Sequence, residues 1–373
     1  MAERTTLILS GGNALGAYQA GAYETLHERG MRPDEIFAVS TGAINAALIA
    51  GTPAEKRVDA LRDFWDSAVQ DGVWGFGASC WPKLWHVNRS RALQSLLFGS
   101  PAFYRLRLPG ALSGLPGAPP DAGIYDLAPL RESLERSIDF DRLNDGQLRV
   151  VIVAVDAHSG EEVRFDSAET PIGVEHLLAS GGFLPFFPPT QVDGRLLVDG
   201  GMASNLPLEA ALEEPTLESR LCIALDLFSR RGAALKTVGQ AVDRQLELLL
   251  SAQTWRALQN LERTHELRRQ LRQLGERIPE ALRDDPTLAP ALKEGARADG
   301  ATTLLLLSHG RVEHDTEMRA FDFSRRSLSE RWETGRADMA QTLDMLGSRR
   351  AGRGEFAVHA YNGRGADADE TTV

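Results

Sequence analysis

Two short runs carry residue types and spacings suited to acyl chemistry. The first is Ala38-Val39-Ser40-Thr41-Gly42. Ile36, Phe37 and Val39 suit a buried strand. The small residues after Ser40 let a helix leave the turn close to that strand. The serine hydroxyl then stands at the carboxyl end of the strand, where open α/β sheets place their sites. This is the pattern of a nucleophile elbow, G-x-S-x-G, with Ala38 at the first glycine. Alone, it reads more readily as a plain βα turn whose serine caps the helix.

The second run is Ser10-Gly11-Gly12-Asn13-Ala14-Leu15-Gly16, between an apolar strand (Thr6–Leu9) and a helical pattern from Ala17 to Leu26. A strand, a glycine loop and a helix in that order aim backbone N–H groups at an anion, and the helix N-terminus adds positive partial charge. The loop could hold a dinucleotide pyrophosphate or the oxyanion of an acyl transfer. A Rossmann unit wants an acidic residue ending its second strand. Here Asp34 and Glu35 precede that strand and Ser40 ends it, and the glycines are not spaced G-x-G-x-x-G. The oxyanion hole is the better fit.

On these residues the chain resembles the patatin-like phospholipase family. Its members carry a glycine-rich oxyanion loop after the first strand, a G-x-S-x-G serine after the second, and a distal Asp-Gly-Gly or Asp-Gly-Ala. This sequence offers Gly11 to Gly16, Ala38 to Gly42, and Asp199-Gly200-Gly201; the run Ala179-Ser180-Gly181-Gly182-Phe183-Leu184-Pro185 also matches. The resemblance covers Thr6 to Leu227. It implies a three-layer α/β/α sandwich with a mainly parallel sheet, and acyl-ester hydrolysis on lipid-like substrates by a Ser40–Asp199 dyad. It also implies an oxyanion hole at Gly11, Gly12 and Asn13, with motif support from Gly16, Ala38, Gly42, Gly200 and Gly201. No metal or organic cofactor is expected. Leu15 stands where the family usually has Arg or Lys, as in a subset of bacterial members, and Asn13 and Ala38 replace usual glycines. Asn tolerates a left-handed backbone.

Around Asp199, Asp193-Gly194 signals a type I′ hairpin, Leu196–Val198 a short strand, and the two glycines leave a carboxylate free to approach Ser40. A free aspartate is a weak base, so the apolar Leu197, Val198, Phe186 and Phe187 are expected to raise its pKa. His158 falls in a hairpin turn and His176 on a short helix, so both read as structural. Asn205 is expected to pin the turn after the aspartate.

The elements that must position these groups fit an ordinary globular composition, with 43% hydrophobic and 25% charged residues over 373 positions. The net charge of −11 argues against a nucleic-acid partner. Cys80 and Cys222 read as buried thiols. The first residues run straight into a strand, and no apolar run could span a bilayer; the expected compartment is the cytoplasm, with peripheral contact at the inner membrane surface. An acyl hydrolase domain is expected over 5–227. Within it, 72–121, with Trp74, Phe76, Trp81, Trp85 and Phe103, fits a packed insertion or a lid that admits an acyl chain.

A helical extension with one returning strand, Thr302–Leu307, is expected over 228–346. Its long helix, Val238–Leu274, has Leu246, Leu249, Leu250, Leu258, Leu261 and Leu267 on its apolar positions. It fits packing across the domain, or a homo-oligomer or membrane-surface role. A second helical stretch is expected over Pro279–Ala298, and a final helix, Ser324–Leu346, with Ser327 as its cap. Residues 347–373 read as disordered. A non-catalytic acyl-binding protein and a nucleotide-binding α/β protein are the rival readings.

Overall fold

The computed structural model describes residues 3–70, 99–100, 102–107, 122–213, 218–232, 235–297, 300–310 and 318–363. Cys80, Trp74, Phe76, Trp81, Trp85 and most of the expected insertion lie outside them.

The strands are β1 (Arg4–Leu9), β2 (Glu35–Val39), β3 (Arg105–Leu106), β4 (Tyr125–Asp126), β5 (Arg149–Asp156), β6 (Glu162–Asp166), β7 (Thr190–Val192), β8 (Arg195–Asp199), β9 (Arg220–Asp226), β10 (Thr302–Ser308) and β11 (Phe356–Asn362). The helices are α1 (Gly16–Glu28), α2 (Thr41–Ala50), α3 (Arg57–Ser67), α4 (Ala128–Ser137), α5 (Phe140–Leu143), α6 (Val174–Ser180), α7 (Leu208–Leu212), α8 (Val238–Arg277), α9 (Ala289–Ala296) and α10 (Arg325–Leu346).

Nine strands form one sheet in the order β11-β10-β9-β1-β2-β5-β8-β7, with β6 beside β5. From β11 to β5 all pairings are parallel; β6, β7 and β8 pair antiparallel. The central strands are apolar almost throughout because both faces are covered. Leu7, Leu9, Ile36, Ile152, Ile223 and Leu305 point into one core, against the side of α1, α2 and α10. Ile8, Phe37, Val39, Val153, Ala224 and Leu306 point into the other, where Leu258 and Leu261 of α8 pack. The alternation makes this the expected three-layer α/β/α arrangement.

The C-terminal third is not an appendage. Two strands return to the sheet, β10 beside β9 and β11 beside β10. The second lies in the stretch read as disordered. Its Phe-Ala-Val-His-Ala-Tyr-Asn sequence is short and flanked by glycine and arginine, so composition hides a strand whose order comes from pairing with β10. Helix α10 lies against α1 at two glycines. A Cβ on Gly21 would fall 2.0 Å from Trp332 O, and one on Gly335 2.0 Å from Tyr18 O. Ser324, not Ser327, caps α10: its side chain accepts the Ser327 N–H, while the Ser327 hydroxyl bonds Asp322. The stretch 279–298 is broken into a 3₁₀ turn at Glu280–Leu282 and α9. Leu249 and Leu267, expected on the packed face of α8, are exposed.

Candidate active site

Register along β5 brings the two carboxyl ends together. Strand β2 ends with Val39 opposite Val153, and β8 ends with Asp199 opposite the next residue, Ala154. A Cβ on Gly200 would lie 2.5 Å from Val153 O and 3.2 Å from the Val39 side chain, so this junction requires glycine.

Ser40 follows β2 with φ 55° and ψ −122°, a left-handed conformation that costs a non-glycine residue on the order of 1–3 kcal/mol. Neighbouring groups hold it there. The Ser40 N–H donates to Ser180 Oγ (2.8 Å), and Ser180 Oγ donates to Val153 O (2.7 Å). Gly42 lets α2 pass close to β1, since a Cβ there would meet Leu9 O at 2.6 Å. Ala38 is fully buried between Leu9 and Ile152 on the neighbouring strands.

Asp199 is 2% exposed. Burial pushes its carboxyl up to about 7; the Ser40 hydroxyl and the Gly201 N–H, both directed at the carboxylate, pull the other way. The Gly201 N–H donates to Asp199 Oδ1 at 2.7 Å. A carboxylate poised near neutrality can accept a proton from a hydroxyl in a way an exposed aspartate cannot.

The glycine loop leaves β1 beside both groups. Asn13 has φ 52°, the left-handed conformation its side chain tolerates. The three expected donors divide. Gly11 N–H is committed to Asn205 O (3.1 Å), and Asn205 Nδ2 donates back to Gly11 O (3.3 Å). The N–H groups of Gly12 and Asn13 have no partner among the described residues. Gly11 fixes the loop, because its N–H already serves the fold. Asn205 accordingly braces two loops rather than its own turn alone. Gly16 admits α2 and α3, with a Cβ position 2.5 Å from Thr41 Oγ1 and 2.7 Å from the Trp65 ring.

These groups sit at the polar end of an apolar pocket. Its walls include Ile44, Phe103, Tyr104, Leu127, Phe186, Phe187, Phe228, Leu246, Leu250 and Phe321. Rings pack along it: Tyr104 on Tyr125 (4.7 Å) and Phe186 on Phe321 (5.0 Å). Phe103 and Tyr104, from the expected insertion, are buried walls of this pocket. The histidines stand apart from it. His158 is in the turn after β5, and His176 Nδ1 accepts the Gly173 N–H (2.8 Å) beside the Phe165 ring.

Three bracing residues escaped the sequence reading. Ser180 lay in a run already noted, without a role. Gln253 on α8 accepts the Asn205 N–H (2.9 Å) and donates to Gly201 O (3.3 Å). Arg331 on α10, 2% exposed, donates to Ala14 O (3.2 Å) behind the glycine loop, to Asp322 O (2.8 Å) and to Arg319 O (2.8 Å). Neither of the latter two carries a local sequence signal.

The fold is similar to that of VipD from Legionella pneumophila, at 15% identity and a TM-score of 0.41, covering 92% of this chain and 67% of that one. It is similar also to the type III effector protein ExoU, at 16% identity and a TM-score of 0.28, covering 78% and 62%. A complex of full-length ExoU with SpcU from Pseudomonas aeruginosa gives 16% identity and a TM-score of 0.29, covering 92% and 74%. The chain spans about two thirds of the length of VipD and ExoU. No curated protein matches it. A family model described as patatin phospholipase matches residues 250–352, and the model of patatin-like phospholipase matches residues 7–212. That second match takes in both loops, the serine turn and the aspartate, and spans more than half of the chain, which therefore belongs to the patatin-like phospholipase family.

Proposed function

We propose that the chain is a serine acyl-ester hydrolase acting on lipids through a Ser40–Asp199 dyad. The observation that carries this is a serine on a strained turn facing a buried, proton-accepting aspartate at the polar end of an apolar pocket. Ser40 Oγ attacks the ester carbonyl while Asp199 takes its proton. The N–H groups of Gly12 and Asn13 meet the oxyanion; one such donor is typically worth ~3 kcal/mol at the transition state. The tetrahedral species collapses to an acyl-enzyme, and the alcohol leaves with the proton from Asp199. Water, deprotonated by Asp199, then releases the acid. The aromatic and aliphatic walls take the acyl chain, whose burial contributes about 0.8 kcal/mol per methylene. Peripheral contact with a membrane suits such a substrate; no helix among the described residues is long and apolar enough to cross one.

The test is hydrolysis of p-nitrophenyl esters of graded chain length by wild type, Ser40→Ala and Asp199→Asn. Turnover by wild type that rises with chain length, and loss of about three decades in both variants, is the expected result. An inert wild type that still binds fatty acid would favour an acyl-binding protein. Full activity in Ser40→Ala would overturn the dyad.

A further inference from the structure

The long helix α8 changes character along its length. From Arg256 onward its exposed positions are mostly polar or charged: Arg256, Gln259, Asn260, Arg263, Arg269. That is an ordinary solvated face. From Val238 to Trp255 the outer side carries no charge. Val238, Val242 and Leu249, spaced by four and seven residues, form one stripe and are 82%, 51% and 59% exposed; Leu248 beside them is 49% exposed. The three charged residues of this segment all turn inward. Asp243 accepts the Met318 N–H (2.8 Å), Arg244 donates to Ser229 O (3.1 Å) and to Glu247 (3.0 Å), and the buried Glu247 also pairs with Arg319 (3.1 Å). The result is a mainly apolar strip from Val238 to Leu249, about 17 Å long at 1.5 Å per residue, whose one exposed polar member, Gln245, is uncharged. Single exposed leucines need no explanation, but a strip of them does.

Two neighbours say what covers it. On the same turns of α8, Leu246 and Leu250 line the acyl pocket, so the strip is continuous with the pocket wall. The segment just ahead of the helix exposes Arg230, Arg231 and Lys236 in a chain whose net charge is −11. The Arg230 guanidinium lies over the Trp255 ring at 5.5 Å, which holds that charge beside the strip. An apolar stripe bordered by cations fits an anionic lipid surface, where the side chains enter the acyl boundary and the cations meet headgroup phosphates.

We propose that the first half of α8 docks on anionic membranes and presents the pocket to the lipid. This deepens the lipid-hydrolase reading and rests on it for its purpose, but its test does not depend on catalysis. The Ser40→Ala protein is floated with vesicles of phosphatidylcholine alone and of phosphatidylcholine with phosphatidylglycerol. Binding to the mixed vesicles, weaker on the neutral ones, is expected. Val242→Glu with Leu249→Glu, in the same background, should lower binding at least tenfold with an unchanged thermal transition. The same pair in the active protein should leave hydrolysis of a soluble short-chain ester unchanged. Arg230→Gln with Lys236→Gln should remove the preference for phosphatidylglycerol and leave the rest. Flotation of the double-glutamate protein equal to that of Ser40→Ala, or no flotation of Ser40→Ala on either vesicle, overturns the proposal. So does a wild-type dimer that the glutamates convert to a monomer, which would make a second copy the occupant. Failure of the soluble-ester assay, with flotation intact, would overturn the hydrolase reading and leave the docking face standing.

Discussion

Two consecutive strands of the chain, with three others between them in the sheet, end in the same way and differ in what their last residue faces. Strand β8 stops at Asp199 and β9 at Asp226. Both carboxyls are buried, at 2% and 1% exposure, and burial pushes both up to about 7. Each accepts a backbone N–H two residues on, from Gly201 (2.7 Å) and Phe228 (3.1 Å). The Asp199 carboxylate lines the pocket and faces a serine hydroxyl held on a strained turn. Asp226 does not line it; its carboxyl is met by the Phe228 N–H and the Thr254 hydroxyl. A displaced pKa thus records burial; a catalytic use needs, in addition, a reacting group in reach.

The contrast can be broken most directly through activity. Asp199→Asn should cost about three decades in kcat/KM, whereas Asp226→Asn should stay within about threefold of wild type; comparable losses in both would erase the distinction. The rate should climb as pH rises through about 7, because the base must be ionised, and Asp226→Asn should not move that midpoint.

Stability should show the two aspartates as alike. Their folded values lie near 7 against an ordinary 3.8. Between those pH values the folded chain keeps protons that the unfolded chain has lost. Their contribution is therefore complete below about pH 4 and is lost as pH rises through about 7. Each Asp→Asn change should raise stability at pH 8 relative to wild type by on the order of 2–4 kcal/mol, read by denaturant titration at pH 5 and 8. A gain from Asp226→Asn alone would mean that Asp199 is ionised without strain.

The turn that distinguishes Asp199 can be probed through Ser180. Ser180→Ala removes the acceptor for the Ser40 N–H, and should lower kcat about tenfold with KM unchanged, in line with one buried hydrogen bond. The smallest effect is expected from Gln253→Ala, a fewfold loss in kcat, since Asn205 still ties its loop to Gly11.

The residues of the proposed chemistry could be picked out because they sit in local patterns: small residues around Ser40, glycines before α1, glycines after Asp199. The sheet was legible where strands are buried on both faces and read as apolar runs, as in β5 and β9. What could not be read depends on distant partners. Ser180 reaches its site across 140 residues and Arg331 across 317. Strand β11 is a strand because β10 lies beside it, and the Gly11 N–H, expected to face an oxyanion, is instead taken by Asn205 O. Periodicity found α8 but could not say that its first half turns its charges inward.

The pairing of the chain's beginning with its end has a consequence for synthesis. Strand β1 sits between β2 and β9, and α1 rests on α10, where Tyr18 and Asp338, 320 residues apart, share a hydrogen bond. At about 5–20 residues per second, the ribosome delivers those partners tens of seconds after the first strand emerges. Through that interval the apolar edge of β1 and the glycine face of α1 stand uncovered. The nascent chain therefore exposes aggregation-prone surface until α10 is made, and truncation after the loop that carries Asp199 should give insoluble protein, read as the soluble fraction on expression.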